Sequence, residues 1–406
     1  MKERKKWDLA ALASIPLIMT LANSMLIPVL PLMQKELHIS SLQASLIITV
    51  YAAVSIVFIP VAGYLSDRWG RKKIIIIGLS IATIGGCISG FVAWFGNDHV
   101  YLIILLGRFI QGIGAAGAFP IVLPLVGDML ESEEEVSKGL GMIETSNTFG
   151  KVISPILGSV LALIVWYFPL AVIPFICLIS IAAVLILVKV PKKDNKEQSN
   201  SSVKEFITSI KKLLLEKGLW VYTVFAIGCI SMFILFGFLY YLSTILEDTY
   251  RIYGVWKGTL LAIPLSAICL ASFLTGKFVG KSRPRMKWCT FVGAVLLLAS
   301  MLLIALLSTK SLFILITLLF ISSAGIGIML PCLDAFITEG IEKKQRGTIS
   351  SLYSSMRFIG VALGPLITAL FLNKSMLLFY SFALLALICG ILTLVGIKPA
   401  PENSAN

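Results

Sequence analysis

The stretch GYLSDRWGRKK, residues 63–73, joins two long apolar segments through a short basic turn. Its two glycines permit a tight turn and a close approach between helices. Asp67 is acidic in an otherwise basic loop and can lie against a helix N-terminus, where its charge is favourable. The flanking segments, 42–66 and 73–95, each exceed the roughly 20 apolar residues that a membrane helix needs. The stretch therefore predicts a helix–turn–helix unit at a membrane surface.

Composition extends this conclusion to the whole chain. Of 406 residues, 58% are hydrophobic and 14% charged, whereas a soluble domain carries about a quarter charged residues. The net charge is +13, but Lys and Arg lie in the gaps between apolar segments, without the interleaved aromatics typical of nucleic-acid binding. The seven cysteines form no CxxC pair, and the two histidines lie in polar gaps. We exclude soluble enzymes, nucleic-acid binders and secreted scaffolds, and we expect no metal and no cofactor.

Twelve segments are long and apolar enough to span a bilayer. Their limits are 8–33, 42–66, 73–95, 100–128, 139–165, 167–189, 219–246, 256–280, 287–308, 311–339, 347–372 and 375–397. We therefore predict an all-α integral membrane protein with twelve transmembrane helices.

The distribution of basic residues predicts the orientation. Of the 34 Lys and Arg, 26 lie in the gaps on the side of the two termini or at the span ends beside them. Five lie in the gaps on the opposite side or at a span end beside them, namely Lys35, Arg251, Lys257, Lys310 and Lys374. Because cytoplasmic loops carry the excess of positive charge, both termini are predicted to face the cytoplasm.

The chain is predicted to consist of two related halves. A polar linker, 190–218, separates an N-terminal half, 1–189, from a C-terminal half, 219–406. Shifting the chain by about 210 residues places Gly-x3-Ser-Pro at 150–155 on Gly-x3-Gly-Pro at 360–365. Two pseudo-symmetric six-helix bundles with a substrate site at their interface are expected from such a repeat.

Three motifs resemble those of the major facilitator superfamily, in its twelve-span drug:proton antiporter branch. The loop 63–73 is similar to the signature loop of that superfamily, and 105–116 resembles its Arg-containing motif. Residues 150–159 are similar to the motif of its exporters. The resemblance covers all twelve spans and implies transport by rocking of the two halves. No GxxxxGK[ST] sequence is present, so ATP is not the expected energy source.

The resemblance also implies a gating latch at the cytoplasmic side. Asp67, Arg71 and Asp128 would form a charge cluster that holds the halves in the outward-open state, with Asp67 against the start of span eleven near Gly347. The predicted gating residues are Gly63, Asp67, Arg68, Gly70, Arg71 and Asp128. The alternative is ordinary positive-inside anchoring, which explains the Lys and Arg but not Asp67.

Arg108 lies about 12 Å from the outer end of span four at 1.5 Å per residue. A charge at that depth costs about 2.5–3.5 kcal/mol or more, so it should face the interior of the bundle. The resemblance implies a part in proton coupling; the alternative is that Arg108 caps carbonyls of span one. Span one offers only Asn23 where several proton-coupled relatives place a carboxylate.

Span five carries two charges on one face, Glu144 and Lys151, seven residues and therefore about 10 Å apart along the axis. They would either pair with each other or meet partners across the bundle. A lysine in the cavity suits an anionic or zwitterionic substrate better than a lipophilic cation. In spans ten and eleven, Asp334 is a candidate protonation site and Arg357 a candidate substrate or gate partner, or both form salt bridges at the inner rim.

Small residues and prolines in spans five and eleven predict close helix packing, since they let neighbouring backbones approach. These residues are Gly150, Ser154, Pro155, Gly158, Gly360, Gly364 and Pro365.

The leading hypothesis is a proton-coupled exporter of amphipathic small molecules or drugs, monomeric and multi-pass in the plasma membrane. The alternative keeps the fold and exports an anionic or zwitterionic metabolite or a lipid-linked sugar. An intramembrane enzyme is excluded, because no HExxH or GxSxG motif occurs and both histidines lie in loops.

Overall fold

The computed structural model describes residues 3–95, 99–130, 133–189, 218–279, 282–307, 311–341 and 343–397. Twelve long helices account for most of these residues. They are α1 (Glu3–Ser24), α2 (Ser41–Trp69), α3 (Arg71–Phe91), α4 (Val100–Met129), α5 (Glu133–Ala162), α6 (Phe168–Leu187), α7 (Leu219–Asp248), α8 (Gly254–Val279), α9 (Arg283–Leu307), α10 (Leu312–Gly340), α11 (Lys343–Phe371) and α12 (Ser375–Gly396).

Each predicted span overlaps one of these helices. Ten stretches of the described chain are long and apolar enough to cross a membrane, and one of them, Thr348–Gly396, contains most of α11 and all of α12. Helix α5 is not among the ten; it carries Glu144, Asn147 and Lys151 in its middle. The prediction of an all-α membrane protein is confirmed. The division of the chain at 190–218 stays a prediction, since 190–217 lie outside the described residues.

The first span is interrupted rather than continuous. After α1 the chain forms a 3-10 turn, Ile27–Val29, and then a short helix, Leu30–Glu36. Proline has no N–H, so Pro31 leaves the carbonyl of Ile27, four residues earlier, without its helical partner. The hydroxyl of Ser243 in α7 donates to that carbonyl at 2.9 Å. The break in the first span is therefore stabilised by a hydrogen bond from the other half.

Two further prolines free carbonyls that hydroxyl groups satisfy. Pro155 frees the carbonyl of Lys151, which accepts from Ser154 Oγ at 2.9 Å. Pro331 frees the carbonyl of Gly327 in α10, and Ser272 Oγ of α8 donates to it at 3.0 Å. Such substitute donors are what allow proline inside a membrane helix.

The two halves pack in the same pattern. In the N-terminal half α1 packs on α5 and α6, α3 on α4 and α6, and α2 on α4. In the C-terminal half α7 packs on α11 and α12, α9 on α10 and α12, and α8 on α10. Between the halves, α2 lies along α11 and α5 lies along α8. Two pseudo-symmetric six-helix bundles therefore meet across α2, α5, α8 and α11.

The predicted packing glycines lie at the matching contacts of the two halves. A Cβ on Gly158 would overlap the backbone of Met25 at the end of α1. A Cβ on Gly364 would come within 2.6 Å of the carbonyl oxygen of Phe233 in α7. Gly150 and Gly360 face the same two helices, α1 and α7. The absence of side chains at these positions sets the distance between the packed backbones.

We expect Gly158→Ala to lower the stability of the purified protein by about 1–3 kcal/mol, the usual cost of overpacking a close contact. The matched control is Gly141→Ala in the same helix, where an added Cβ meets nothing within 4 Å. That control should be neutral or slightly stabilising, because alanine is the better helix former. Thermal unfolding in detergent measures both, and equal Tm values for the two variants would contradict the packing role.

Candidate functional site

A narrow cavity lies between the two halves. Its lining comes from α1 and α5 on one side and from α7 and α8 on the other. The lining residues are Ser24, Ile27, Lys151, Ser154, Pro155, Leu235, Phe236, Leu239, Leu261 and Leu265. The C-terminal half contributes only apolar side chains, whereas the N-terminal half contributes one charged group. We call this space the central cavity.

Lys151 provides that charged group. The residue is 7% exposed, and among the described residues its ammonium Nζ has no hydrogen-bond partner. Glu144 does not pair with it; its carboxylate instead accepts from Asn147 Nδ2 at 3.1 Å. Asn147 Oδ1 in turn accepts from Thr20 Oγ1 of α1 at 2.6 Å. The structure therefore separates the two charges of α5, which the sequence left open, and leaves Lys151 facing the cavity alone.

Asp334 and Arg357 meet between α10 and α11. Arg357 Nη1 lies 3.5 Å from Asp334 Oδ1, and its guanidinium carbon lies 5.6 Å from the centre of the Tyr353 ring. The charges of Glu144 and Lys151 also act on Asp334. Four charged side chains, two from each half, thus lie within electrostatic reach of one another in the interior of the bundle.

Tyr353 is a residue of this cluster that sequence reasoning missed. It is 3% exposed and stacks on Phe225 of α7 with ring centroids 6.1 Å apart. Its position one helical turn before Arg357 was the available signal, since side chains four residues apart share a helix face.

Arg108 is fully buried and hydrogen-bonded to neutral acceptors. Its Nε donates to the carbonyl of Ile47 at 2.9 Å, and Nη1 donates to the carbonyl of Ala22 at 3.2 Å. Gln111 Oε1 and Asn23 Oδ1 each accept from it at 2.7 Å. No carboxylate contacts Arg108 within the described chain. The arginine therefore ties α4 to α1 and α2, in the arrangement that the sequence offered as the alternative to proton coupling.

The loop between α2 and α3 brings three predicted gating residues together. Arg71 Nη1 lies 2.9 Å from Asp128 Oδ2, and Arg71 Nη2 lies 3.5 Å from Asp67 Oδ1. Gly70 has a φ of 95°, a backbone conformation that favours glycine. Arg68 is exposed.

A second narrow cavity lies beside this cluster. Asp67 and Arg71 line it together with Thr348 and Ser351 of α11. Gly63 lies against Ser351, whose Oγ would be 3.3 Å from an added Cβ. The side chains of 342–347 are outside the described structure, so the predicted position of Asp67 near Gly347 stays a prediction.

Twelve membrane helices in two related halves, with a cavity between the halves and one charged group in its wall, define a membrane transporter. The chain belongs to the Major Facilitator Superfamily, whose family model matches residues 12–365 and 287–406. It is accordingly a transporter and not an enzyme.

Curated relatives are bacterial exporters and resistance proteins. The chain is 52% identical over 389 residues to the Bacillibactin exporter of Bacillus subtilis (strain 168), covering 95% of this chain and 94% of that protein. It is 26% identical to Multidrug resistance protein 2 of the same organism, covering 92% and 91%. It is 24% identical to Quinolone resistance protein NorA of Staphylococcus aureus, covering 86% and 85%.

A solved structure has the same fold. The human organic anion transporter MFSD10 (TETRAN) superposes with a TM-score of 0.71 at 16% identity, covering 97% of this chain and 100% of that one.

We expect Arg108→Lys to destabilise the protein by about 2–4 kcal/mol, because one ammonium cannot reach four acceptors and leaves buried oxygens without a donor. The conservative control is Arg68→Lys, at an exposed position of the same charge. Thermal unfolding of the purified variants compares the two. A Tm for Arg108→Lys that equals the Tm of the control would show that the hydrogen bonds do not support the fold.

Proposed function

We propose that this chain exports an acidic metabolite of the siderophore type. The observation that carries the proposal is the unpartnered ammonium of Lys151 in the wall of the central cavity. The 52% identity to a protein named as a bacillibactin exporter supports the same substrate class.

A buried ammonium without a partner is unfavourable, since it has lost its hydration and gained no hydrogen bond in return. An anionic group of a substrate in the central cavity would supply the missing partner of Lys151. Siderophores bind ferric iron through several hard oxygen donors, and oxygen atoms of this kind can accept a hydrogen bond from the ammonium of Lys151. Charge complementarity of this kind favours anionic cargo and disfavours cations.

The opposite wall of the cavity suits the apolar part of such a molecule. This wall consists of Leu235, Phe236 and Leu239 of α7 and of Leu261 and Leu265 of α8. The space between the two walls is narrow in this state, with room only for water-sized groups. A larger cargo would need the halves to separate further, which is what alternating access between the two sides of the membrane provides.

Protons are the proposed coupling ion, and Glu144 and Asp334 are the proposed carriers. Both acids lie in the charged cluster between the halves, where the charge of Arg357 acts on them. Arg108 has only neutral partners among the described residues, so in this proposal its role is to hold the helices in place. We also infer that both termini face the cytoplasm and that the chain acts as a monomer in the plasma membrane.

A second candidate function is the export of lipophilic drugs. The apolar wall of the central cavity favours it, as do the relatives at 24–26% identity that are named for drug resistance. The two candidates differ in the charge of the cargo, and Lys151 is the residue that separates them.

Reconstituted vesicles with an imposed pH gradient would test the proposal, with bacillibactin and the lipophilic cation ethidium as probes. We expect the parent to transport bacillibactin and Lys151→Met to lose at least about tenfold in kcat/KM, as expected when one partner of a buried charge pair is truncated. Lys151→Arg should retain part of the activity, and ethidium transport should rise in Lys151→Met.

The control is Lys277→Met, an exposed lysine of α8. Transport of ethidium but not bacillibactin by the parent would favour the drug exporter instead. If the parent and Lys151→Met transport the two probes at the same rates, Lys151 does not select the substrate.

We further infer that Asp67, Arg71 and Asp128 act as a latch between states. Arg71 is shared by two carboxylates, and the loop that carries it lies against α11 of the other half. Partly exposed ion pairs of this kind are worth about 0–1 kcal/mol each, so they can break in every cycle without stopping it.

We expect Asp67→Asn to slow bacillibactin transport severalfold while the amount of inserted protein and its Tm stay close to the parent values. The reason is that a single exposed loop charge affects the balance of states more than it affects folding. Glu36→Gln, an exposed acid outside the loop, is the matched control. Transport by Asp67→Asn at the parent rate would contradict the proposed role of Asp67 in a latch.

A further inference from the structure

We propose that Glu247 closes the outer end of the central cavity by holding Lys35 of the N-terminal half and Lys257 of the C-terminal half at the same time, and that release of Lys35 opens it. The outer end is the one opposite the loop 63–73. The proposal rests on alternating access, and it does not depend on which compound is carried.

The three side chains form one connected cluster. Glu247 Oε1 accepts from Lys35 Nζ at 2.6 Å, and Glu247 Oε2 accepts from Lys257 Nζ at 2.7 Å. The side chains of Glu247 and Lys257 are 5% and 3% exposed, whereas that of Lys35 is 49% exposed. Lys257 was counted from the sequence as an outer-loop charge; in the structure it is buried in the first turn of α8.

Each member lies directly outward of a part of the cavity wall. On α7, Glu247 follows the lining residue Leu239 by eight residues, about 12 Å of helix. On α8, Lys257 precedes the lining residue Leu261 by about one turn. On the N-terminal side, Lys35 belongs to the short helix that follows the lining residue Ile27. The cluster therefore covers the cavity from its outer side.

Two further hydrogen bonds join the halves close to this cluster. Ser243 Oγ donates to the carbonyl of Ile27 at 2.9 Å, and Tyr240 Oη donates to the carbonyl of Ser41 at 2.9 Å. Both bonds join α7 to backbone of the N-terminal half. They lie next to the cluster along α7, so the outer ends of the two halves are held by neighbouring polar contacts.

Burial determines which contact of Glu247 can break. Glu247 and Lys257 belong to the same half, and both are buried, so separating them would leave two unpaired charges away from water. Lys35 is half-exposed and has a second carboxylate nearby, Asp248 at 3.7 Å, with the Tyr253 ring centre at 5.8 Å. When the halves part, water can hydrate Lys35, while Glu247 keeps Lys257. Lys35 is therefore the mobile member of the cluster.

Labelling of a cavity cysteine tests the closure without any substrate. The variant Ser24→Cys places a cysteine at the cavity wall. A membrane-impermeant maleimide is added outside intact cells, and the labelling rate of the parent chain, which keeps Ser24, is subtracted from that of the variant. Adding Lys35→Met should raise that rate about fivefold, the equilibrium shift expected from the loss of one partly exposed ion pair. Adding Lys35→Arg should restore the original rate, because it keeps the charge.

Two controls complete the experiment. Lys374→Met removes an exposed outer lysine and should leave the labelling of Ser24→Cys unchanged. Lys374→Cys should react from outside and so establish which side of the membrane the cluster faces. An unchanged rate in Lys35→Met, an equal rise in Lys374→Met, or no reaction of Lys374→Cys from outside would each overturn the proposal. If labelling rises in Lys35→Met but the parent chain transports neither bacillibactin nor ethidium, the role of Glu247 in closing the cavity is supported and the proposed function is overturned.

Discussion

The interior of a membrane supplies no hydrogen-bond partner, so every polar group placed there must find one within the protein. In this chain that constraint determines how broken helices stay in place. The carbonyls freed by Pro31 and Pro331 are both taken by serines of a different helix. Arg108 donates hydrogen bonds to acceptors on three helices, α1, α2 and α4. Prolines that would weaken an isolated helix thus become points at which helices are joined.

Lys151, the charged residue in the lining of the central cavity, is an exception to that rule, because its ammonium has no partner among the described residues. The halves share their packing, but they do not share their charges. At the repeat offset of about 210 residues, Lys151 corresponds to Val361, and Asn147 corresponds to Arg357. The symmetric scaffold therefore surrounds an asymmetric site, in which one half supplies a free ammonium and the other an apolar wall. A symmetric fold can select an asymmetric cargo in this way, since packing and recognition use different residues.

Two charge clusters lie at opposite ends of the path between the halves. At one end Arg71 is shared by Asp67 and Asp128; at the other, Glu247 is shared by Lys35 and Lys257. In both clusters a single charge faces two opposite charges, and at least one contact is partly exposed to water. Pairs of this kind are weak enough to exchange and specific enough to select one arrangement. The central cavity lies between them, which is the arrangement that alternating exposure of one site requires.

Much of this architecture follows from the sequence, because helix length, loop charge and the Gly–Pro repeat are local properties of the chain. They predicted the twelve helices, the two matching halves and the glycines of α5 and α11 that pack against α1 and α7. The sequence also identified Arg108, Glu144, Lys151, Asp334 and Arg357 as interior charges, since spacing along a helix gives the depth and the face of a side chain. It could not give their partners. Only the packing of helices against one another decided that Asn147, which donates to Glu144, accepts from Thr20 of α1. It likewise decided that Arg108 meets neutral acceptors on α1 and α2, and that Lys257 is buried against Glu247. A partner across the bundle depends on which helix faces lie together, and that is a property of the assembled bundle rather than of any segment within it.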